Sequence, residues 1–246
     1  MNLNYSDDKP KLASLPANIN LSLSSRLEFV MNLTNPEYEP FYEEYKVHLF
    51  ELNKIVKATG EALEGNLFYN HHDIELDDLL PEFLPKRRLF SMMAVMHDIV
   101  VEIGFNAGHS ALLLLISNPK LNLTCIDICV HKYTPLCFLY LKRIFGTRIE
   151  LINANSLLAF PLIARKIKDV DLFIIDGGHG VDVAEADLLN VIEYCRKGSI
   201  IVFDDADYPP LRVLLDMYLL TGKIISISDQ IGFIKNFKQM VFINNK

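Results

Sequence analysis

The sequence contains no uninterrupted apolar run that approaches the ~18 residues a transmembrane helix needs, so we expect no membrane partner. Its start lacks the pattern of a secretory signal peptide, because acidic side chains appear early and no apolar core follows them. Internal repeats and low-complexity tracts are also absent. These absences favour an ordinary globular protein.

Cysteine is scarce, with four residues in a chain of 246. Their spacing does not match a zinc site, and each lies in or beside an apolar segment: Cys125, Cys129, Cys137 and Cys195. We therefore predict reduced thiols in or near the core, as is typical of a cytoplasmic protein.

Positive charge is in short supply as well. The 24 lysines and arginines are outnumbered by 31 acidic residues, which gives a net charge of −7. Nucleic acids favour basic partners, so this balance argues against a nucleic-acid partner and is more compatible with a small uncharged or cationic ligand. Half of the residues are hydrophobic, which suits one large domain or one domain with an appendage.

From Asp98 onward, short β-branched segments alternate with longer helical ones. This alternation predicts a doubly wound, mostly parallel, seven-stranded α/β sheet of the Rossmann-like type, with helices on both faces. The predicted strands are “DIVVEIG”, “LNLTCID”, “RIELINA”, “DLFIIDG”, “SIIVFDD”, “KIISIS” and one within “FIKNFKQMVFI”. The predicted helices span 109–117, 133–145, 156–166, 181–195 and 210–220. Residues 1–84 are predicted to form an N-terminal extension and helical cap, and residues 85–246 the sheet domain.

Polar side chains follow the first five predicted strands at the point where each strand ends. They are Glu102, Asp127, the segment Asn153–Ser156, Asp176, and the pair Asp204 and Asp205. In an open parallel sheet, ligands bind beyond the carboxyl ends of the strands. Carboxylates are costly at the rim of an apolar sheet unless they have partners, so several together indicate a binding site.

A turn with two glycines, “VEIGFNAGHSA”, joins the first predicted strand to an apolar helix. Glycine permits a tight turn and lets the backbone approach a ligand closely. The spacing from Gly104 to Gly108 differs from the dinucleotide fingerprint, because Asn106 stands where that fingerprint requires glycine. This argues against a nicotinamide dehydrogenase. Glu102 would repel a phosphate and suits an amino group or a sulfonium.

The glycine turn resembles the first motif of the class I S-adenosylmethionine-dependent methyltransferases, and “CIDI” resembles their second. “NANS” stands where that family often has Gly-Asp-Ser, and the resemblance covers roughly residues 85–235. It implies that S-adenosyl-L-methionine is the cofactor, with Asp127 on the ribose and Asn155 facing the adenine. The implied cofactor-binding residues are Glu102, Gly104, Phe105, Asn106, Gly108, Ser110, Asp127, Ile128, Ala154, Asn155, Ser156 and Asp176.

The predicted topology brings Asp176, Asp204 and Asp205 together, because the fourth and fifth strands are neighbours. Three close carboxylates repel one another unless they are protonated or bridged by a cation. A hard divalent ion such as Mg²⁺ is the simple solution, and the alternative is turn and cap chemistry without metal. This region resembles the cation-dependent small-molecule O-methyltransferases of the catechol and macrocin types, which implies that the three acids are metal ligands.

Asp176 and His179 are the candidate catalytic residues. His179 lies three residues after Asp176, at the offset where the catechol enzymes carry a catalytic lysine. An imidazole can accept a hydroxyl proton near neutral pH, so His179 is the candidate general base. The alternative is a residue that only caps or packs the start of the next helix.

Two further polar groups precede the first predicted strand. Lys86, Arg87 and Arg88 are predicted to form a solvated basic cluster, with contact to an acidic substrate as the alternative. His71 and His72 are predicted to be an exposed pair, with a substrate contact under a lid as the alternative.

The sequence as a whole predicts a transferase that methylates a hydroxyl of a small molecule, such as a sugar or an aromatic natural product, with help from Mg²⁺ or another divalent cation. One alternative is a non-catalytic S-adenosylmethionine-binding regulator or scaffold of the same fold. A metal-dependent enzyme of another reaction type is a second, because fold does not fix function. Assembly into a homo-oligomer is left open.

Overall fold

The computed structural model describes residues 29, 32, 33, 35, 37–70, 79–167, 169–231 and 238–246. The predicted pair His71 and His72 lies outside the described residues. So do residues 233–237, which begin the segment predicted to hold the last strand.

One sheet organises the molecule. Its strands are β1 (Ile99–Ile103), β2 (Asn122–Asp127), β3 (Ile149–Asn153), β4 (Leu172–Ile175), β5 (Ile200–Phe203), β6 (Ile224–Ser226) and β7 (Met240–Asn244). They lie in the order β3-β2-β1-β4-β5-β7-β6. Neighbouring strands along β3-β2-β1-β4-β5 are parallel to one another. Strand β7 is antiparallel to both of its neighbours, β5 and β6. The predicted seven-stranded, mostly parallel, Rossmann-like sheet is confirmed.

The helices are α1 (Tyr42–Thr59), α2 (Leu84–Met96), α3 (His109–Ser117), α4 (Tyr133–Phe145), α5 (Ser156–Ile167), α6 (Val181–Tyr194) and α7 (Pro209–Leu220). Single 3₁₀ turns occur at Pro81–Phe83, Gly146–Arg148 and Ser228–Gln230.

Burial explains why the central elements are apolar throughout. All four residues of β4 are buried, as expected for a parallel strand covered on both faces. Helix α3 packs on β2 on one side and on α1 and α2 on the other. It therefore has no solvent-facing stripe, which accounts for its run of leucines from Leu112 to Leu115.

The described part of the N-terminal extension belongs to the main hydrophobic core. Helix α1 buries Tyr45, Leu49, Leu52 and Val56, and these side chains join the cluster that contains the α3 leucines. The extension thus stabilises the sheet domain directly through apolar burial.

The predicted solvated cluster of Lys86, Arg87 and Arg88 is wrong, because the three side chains are buried in α2. Arg87 forms a two-pronged ion pair with Glu39, with Nε–Oε1 and Nη2–Oε2 distances of 2.8 and 2.6 Å. Arg88 donates through Nε to the carbonyl oxygen of Tyr38 at 2.9 Å. Buried charge is tolerated here because each group finds a partner in the extension or at the sheet edge.

The cysteines are free thiols, as predicted, and three of them are buried. Among the residues that the structure describes, no helix combines the length and the hydropathy required to cross a bilayer.

Candidate active site

A cavity of about 750 Å³ opens at the carboxyl ends of the parallel strands, where ligands bind in sheets of this kind. The segment Glu64–Leu67 of the extension and Lys86 of α2 form part of its wall. Ten residues from the predicted cofactor set line the cavity: Gly104, Phe105, Asn106, Ser110, Asp127, Ile128, Ala154, Asn155, Ser156 and Asp176.

The two glycines of the turn after β1 are required by close packing. Gly104 has φ +97°, and a Cβ added there would lie 1.9 Å from the carbonyl oxygen of Asp176. Gly108 precedes α3 with φ +75°, and its Cβ would lie 2.6 Å from Cζ of Phe105. Only glycine combines these left-handed conformations with so little space. Gly108 supports the turn from behind and, unlike Gly104, does not line the cavity.

Asp127, at the end of β2, holds the glycine turn in place. Its Oδ2 accepts the backbone N–H groups of Phe105 and Asn106 at 2.7 and 2.9 Å. Its Oδ1 accepts the N–H of Cys129 at 2.6 Å. The carboxylate also lines the cavity, so it combines a structural role with the position expected of a ribose ligand.

Glu102 differs from its predicted place, because it is fully buried and lies behind the cavity wall. Its Oε2 accepts from Sγ of Cys125 at 3.3 Å, and Ser110, which lines the cavity, also bonds to it. Its Oε1 has no hydrogen-bond partner among the described residues. Burial raises the pKa of the Glu102 carboxyl to about 7.

Asn155 begins the segment that faces the other side of the cavity. Its Oδ1 accepts the N–H of Leu157 at 2.9 Å, which caps the start of α5. The extension closes this side, because His131 lies 3.1 Å from Oε2 of Glu64 and its ring stacks on Tyr133. The Tyr133 hydroxyl donates to Oδ1 of Asn106 at 2.6 Å, which links this wall to the glycine turn.

A lysine lies among the acids that follow β4 and β5. Nζ of Lys86 is 2.5 Å from Oδ2 of Asp204 and 3.5 Å from Oδ2 of Asp176. The third partner of the ammonium is Oδ1 of Asn66, at 3.0 Å. Gln239 donates through Nε2 to Oδ1 of Asp204, so both oxygens of that carboxylate are engaged.

The charges in this cluster are balanced internally. Burial would raise the pKa of Asp204, but the adjacent Lys86 ammonium holds it well below its usual range. The pKa of Asp176 is raised by burial and by the neighbouring Asp204 carboxylate. Burial opposes the charge on Lys86, but Asp176 and Asp204 outweigh it and raise the pKa of the ammonium.

The metal centre predicted at these three acids is not seen among the described residues. In the described ranges, no group of three or more His, Cys, Asp or Glu side chains is arranged to hold a metal ion. Nζ of Lys86 contacts both Asp176 and Asp204, and these two carboxyl groups are also hydrogen-bonded to each other. Asp205 is directed to His179 instead. The sequence reasoning assumed that the compensating cation had to come from solution.

His179 and Asp205 form a pair at the cavity wall. Nδ1 of His179 lies 2.9 Å from Oδ2 of Asp205. Asp205 has a left-handed backbone conformation, with φ +48°. Its hydrogen bond raises the pKa of His179, and burial opposes that shift only in part. The imidazole side chain is 63% exposed, which leaves it accessible to a ligand in the cavity.

Sequence reasoning missed three members of the acid cluster: Lys86, Asn66 and Gln239. The topology predicts site residues at the carboxyl ends of the parallel strands, and none of these three residues lies at such an end. Lys86 is 118 residues from Asp204 in the chain, and the charged run “PKRR” carries no local signal of burial.

The comparisons with known proteins agree with this architecture. Residues 101–206 match a family described as a methyltransferase domain, which spans β1 to the residues just after β5. The predicted resemblance to the class I S-adenosylmethionine-dependent methyltransferases is confirmed. A comparison with curated proteins finds no match.

Solved methyltransferase structures share the fold at low sequence identity. A methyltransferase from Podospora anserina bound to S-adenosylhomocysteine (SAH) has a TM-score of 0.59 and 13% identity, over 94% of this chain and 98% of that one. An O-methyltransferase from Bacillus cereus in complex with SAH has a TM-score of 0.58 and 13% identity, over 89% and 96% of the two chains. An O-methyltransferase of tomaymycin synthesis from Streptomyces achromogenes, in complex with SAM, has a TM-score of 0.56 and 14% identity, over 89% and 96%.

Proposed function

We propose that this methyltransferase domain transfers the methyl group of S-adenosyl-L-methionine to a hydroxyl oxygen of a small molecule. The observation that carries the proposal is the set of residues that line one cavity. It is lined on one side by the glycine turn and Asp127, and on another by the His179–Asp205 pair. A cofactor site and a candidate general base thus open onto the same space.

The residues of the cavity fit S-adenosylmethionine. The carboxylate of Asp127 suits the ribose hydroxyls, and Ile128 and Asn155, which line the same cavity, are assigned to the adenine in this proposal. Ser110 lines the cavity and hydrogen-bonds to the buried Glu102 carboxyl, and we assign this pair to the cationic amino-acid end of the cofactor. Bound S-adenosylmethionine would supply an electrophilic methyl group.

His179 acts as the general base in this proposal. Asp205 fixes the ring through Nδ1, which presents Nε2 to the hydroxyl of the methyl acceptor. As the oxygen–methyl bond forms and the sulfur–methyl bond breaks, the hydroxyl proton passes to Nε2 and then to solvent. Asp176 lines the same wall and is placed to orient the hydroxyl.

The N-terminal extension, residues 1–84, is proposed to act as the cap that shapes the acceptor site. Its described part contributes Glu64, Gly65, Asn66 and Leu67 to the cavity wall. The divalent cation expected from the sequence forms no part of the proposed reaction, because the Lys86 ammonium already contacts Asp176 and Asp204.

Methyl transfer to a panel of small hydroxyl compounds, including catechols and sugars, tests the proposal. We expect formation of S-adenosylhomocysteine with at least one acceptor, and a loss of about 10²-fold in kcat in His179→Ala, which is typical for removal of a general base. His97→Ala is the matched control, because His97 does not line the cavity, and it should retain full activity. Cofactor binding with no transfer to any acceptor, and with the same cofactor affinity in His179→Ala as in wild type, would favour the non-catalytic regulator instead.

A further inference from the structure

Lys86 makes a complete set of contacts inside the acid cluster. An ammonium has three donors, and Lys86 directs them to Asp204, Asp176 and Asn66 at 2.5, 3.5 and 3.0 Å. The side chain is only 3% exposed. A buried ammonium is costly unless it is paired, so these charged and polar partners are what stabilise Lys86 in the interior.

The neighbours of Lys86 fix its position. Arg87 is clamped by Glu39 and also donates to the carbonyl oxygens of Leu67 and Leu80, both at 3.0 Å. Arg88 is bound to the carbonyl oxygen of Tyr38. The first turns of α2 are therefore anchored on the side facing the extension, and Lys86 is directed to the sheet edge from a rigid support.

Lys86 and a metal ion would compete for the same carboxylates. A divalent ion would lie roughly 2.0–2.6 Å from its carboxylate ligands. Oδ2 of Asp204 already has Nζ of Lys86 at 2.5 Å, and Oδ1 of Asp204 is engaged by Gln239. A second cation on these carboxylates would also be repelled by the ammonium.

We propose that Lys86 is a built-in replacement for a divalent cation, so that the acid cluster positions the methyl acceptor without metal. Lys86 is a positioning residue: it holds Asp176, whose side chain is 24% exposed and lines the cavity, in place for the acceptor hydroxyl. The inference rests on the proposed methyl transfer and adds to it the source of the positive charge.

Titration with Mn²⁺, followed by electron paramagnetic resonance of the free ion, tests this assignment on chelator-treated protein. Wild-type protein should show no saturable binding below about 1 mM. Lys86→Met should bind one Mn²⁺ per chain at least about tenfold more tightly than wild type, because the carboxylates lose their internal cation. Lys54→Met is the matched control, since Lys54 pairs with Glu51 on the exposed face of α1 and should behave like wild type.

One wild-type result would overturn the inference: stoichiometric Mn²⁺ binding that is lost in Asp176→Asn. This arm does not depend on whether Lys86→Met folds. A folded Lys86→Met that gains no Mn²⁺ affinity would also contradict it, because Lys86 would then not occupy a cation site.

A separate readout distinguishes failure of this inference from failure of the proposed function. S-adenosylhomocysteine binding to wild type, measured by calorimetry with and without chelator, should be the same in both conditions. Absence of cofactor binding would contradict the proposed function. The role of Lys86 in the cluster would then be decided by the Mn²⁺ titration alone. A transfer rate that falls more than about tenfold with chelator, and returns with Mg²⁺, would overturn the metal-independent reaction.

Discussion

At the scale of single residues, the His179–Asp205 pair makes a prediction about pH. A histidine base must be neutral to accept a proton, so activity should rise with pH through the pKa of His179, which Asp205 raises above 6.5. In Asp205→Asn that pKa falls, and the acidic limb of the kcat/KM profile should shift to lower pH. We also expect kcat to drop by roughly 10²-fold, because the ring loses its orienting partner.

The control for this profile is Asp207→Asn, which changes an exposed acid two residues further along the same loop. Its profile should overlay that of the wild type. An unchanged acidic limb in Asp205→Asn would contradict the assignment of His179 as the titrating base.

Glu102 makes a second residue-scale prediction, on stability. Burial raises the pKa of the Glu102 carboxyl from 4.5 to about 7. Between these two pH values the folded protein keeps a proton on Glu102 that the unfolded chain has released. The free energy of unfolding therefore contains a contribution from Glu102 that is fully present below about pH 4.5 and is lost as the pH rises through 7. Glu102→Gln removes it. Relative to wild type, the variant should gain up to roughly 3 kcal/mol between pH 5 and pH 8.

Urea unfolding of both proteins at the two pH values measures this difference. The subtraction cancels the other titrating groups, including Asp187, whose pKa burial raises to about 6. A constant difference between variant and wild type across the range would show that Glu102 stays ionised in the fold.

The residue scale also shows what the sequence could predict. The acids at the strand ends were found because topology places every strand end of a parallel sheet at one edge. Lys86 was missed for the opposite reason. Its burial depends on Asp176 and Asp204, which are 90 and 118 residues away, and nothing in its own neighbourhood reports that pairing. The expectation of a metal was argued from the three acids alone, without the lysine that contacts two of them.

At the scale of elements, the turn after β1 is the most constrained feature. An alanine at Gly104 would place its Cβ 1.9 Å from the carbonyl oxygen of Asp176, in a left-handed conformation. Gly104→Ala must therefore separate the ends of β1 and β4. We expect it to lower the free energy of unfolding by about 3 kcal/mol or more and to abolish cofactor binding.

Gly60→Ala is the matched control for that substitution. Gly60 ends α1 with φ +72°, but a Cβ there meets nothing within 4 Å. It should lose only about 1 kcal/mol, the cost of the left-handed conformation alone. Equal losses in the two variants, measured by chemical denaturation, would show that the close approach to Asp176 is not the constraint.

Elements with strong periodicity were predicted well. The predicted helices at 109–117 and 133–145 agree with α3 and α4 to the residue, and the three later helices differ by one residue at an end. Their apolar faces are set by burial against a sheet, which leaves a regular pattern in the sequence. The extension has a less regular pattern because its prolines interrupt it, and its burial against α3 and α4 depends on distant contacts.

At the scale of the whole molecule, Arg87 joins the extension to the sheet domain. It is 1% exposed and pairs with Glu39 through two hydrogen bonds. Arg87→Met leaves Glu39 without its partner and two carbonyl oxygens without a donor. We expect a loss of about 3–5 kcal/mol in the free energy of unfolding, together with faster proteolytic cleavage of the extension.

Arg212→Met is the control for the loss of an ion pair. Arg212 pairs with Asp216 on the surface of α7, with both side chains about half exposed. Such a pair contributes about 0–1 kcal/mol, so the variant should resemble wild type. Similar stability losses in the two variants would mean that Arg87 does not anchor the extension.

The central claim is that the carboxyl edge of the sheet binds S-adenosylmethionine. Its most direct test is calorimetric titration of the chelator-treated wild-type protein with S-adenosylhomocysteine, beside Gly104→Ala as the variant with a blocked turn. We predict saturable binding at one site per chain, unchanged by Mg²⁺ and lost in the variant. Absence of binding to the folded wild-type protein would contradict it.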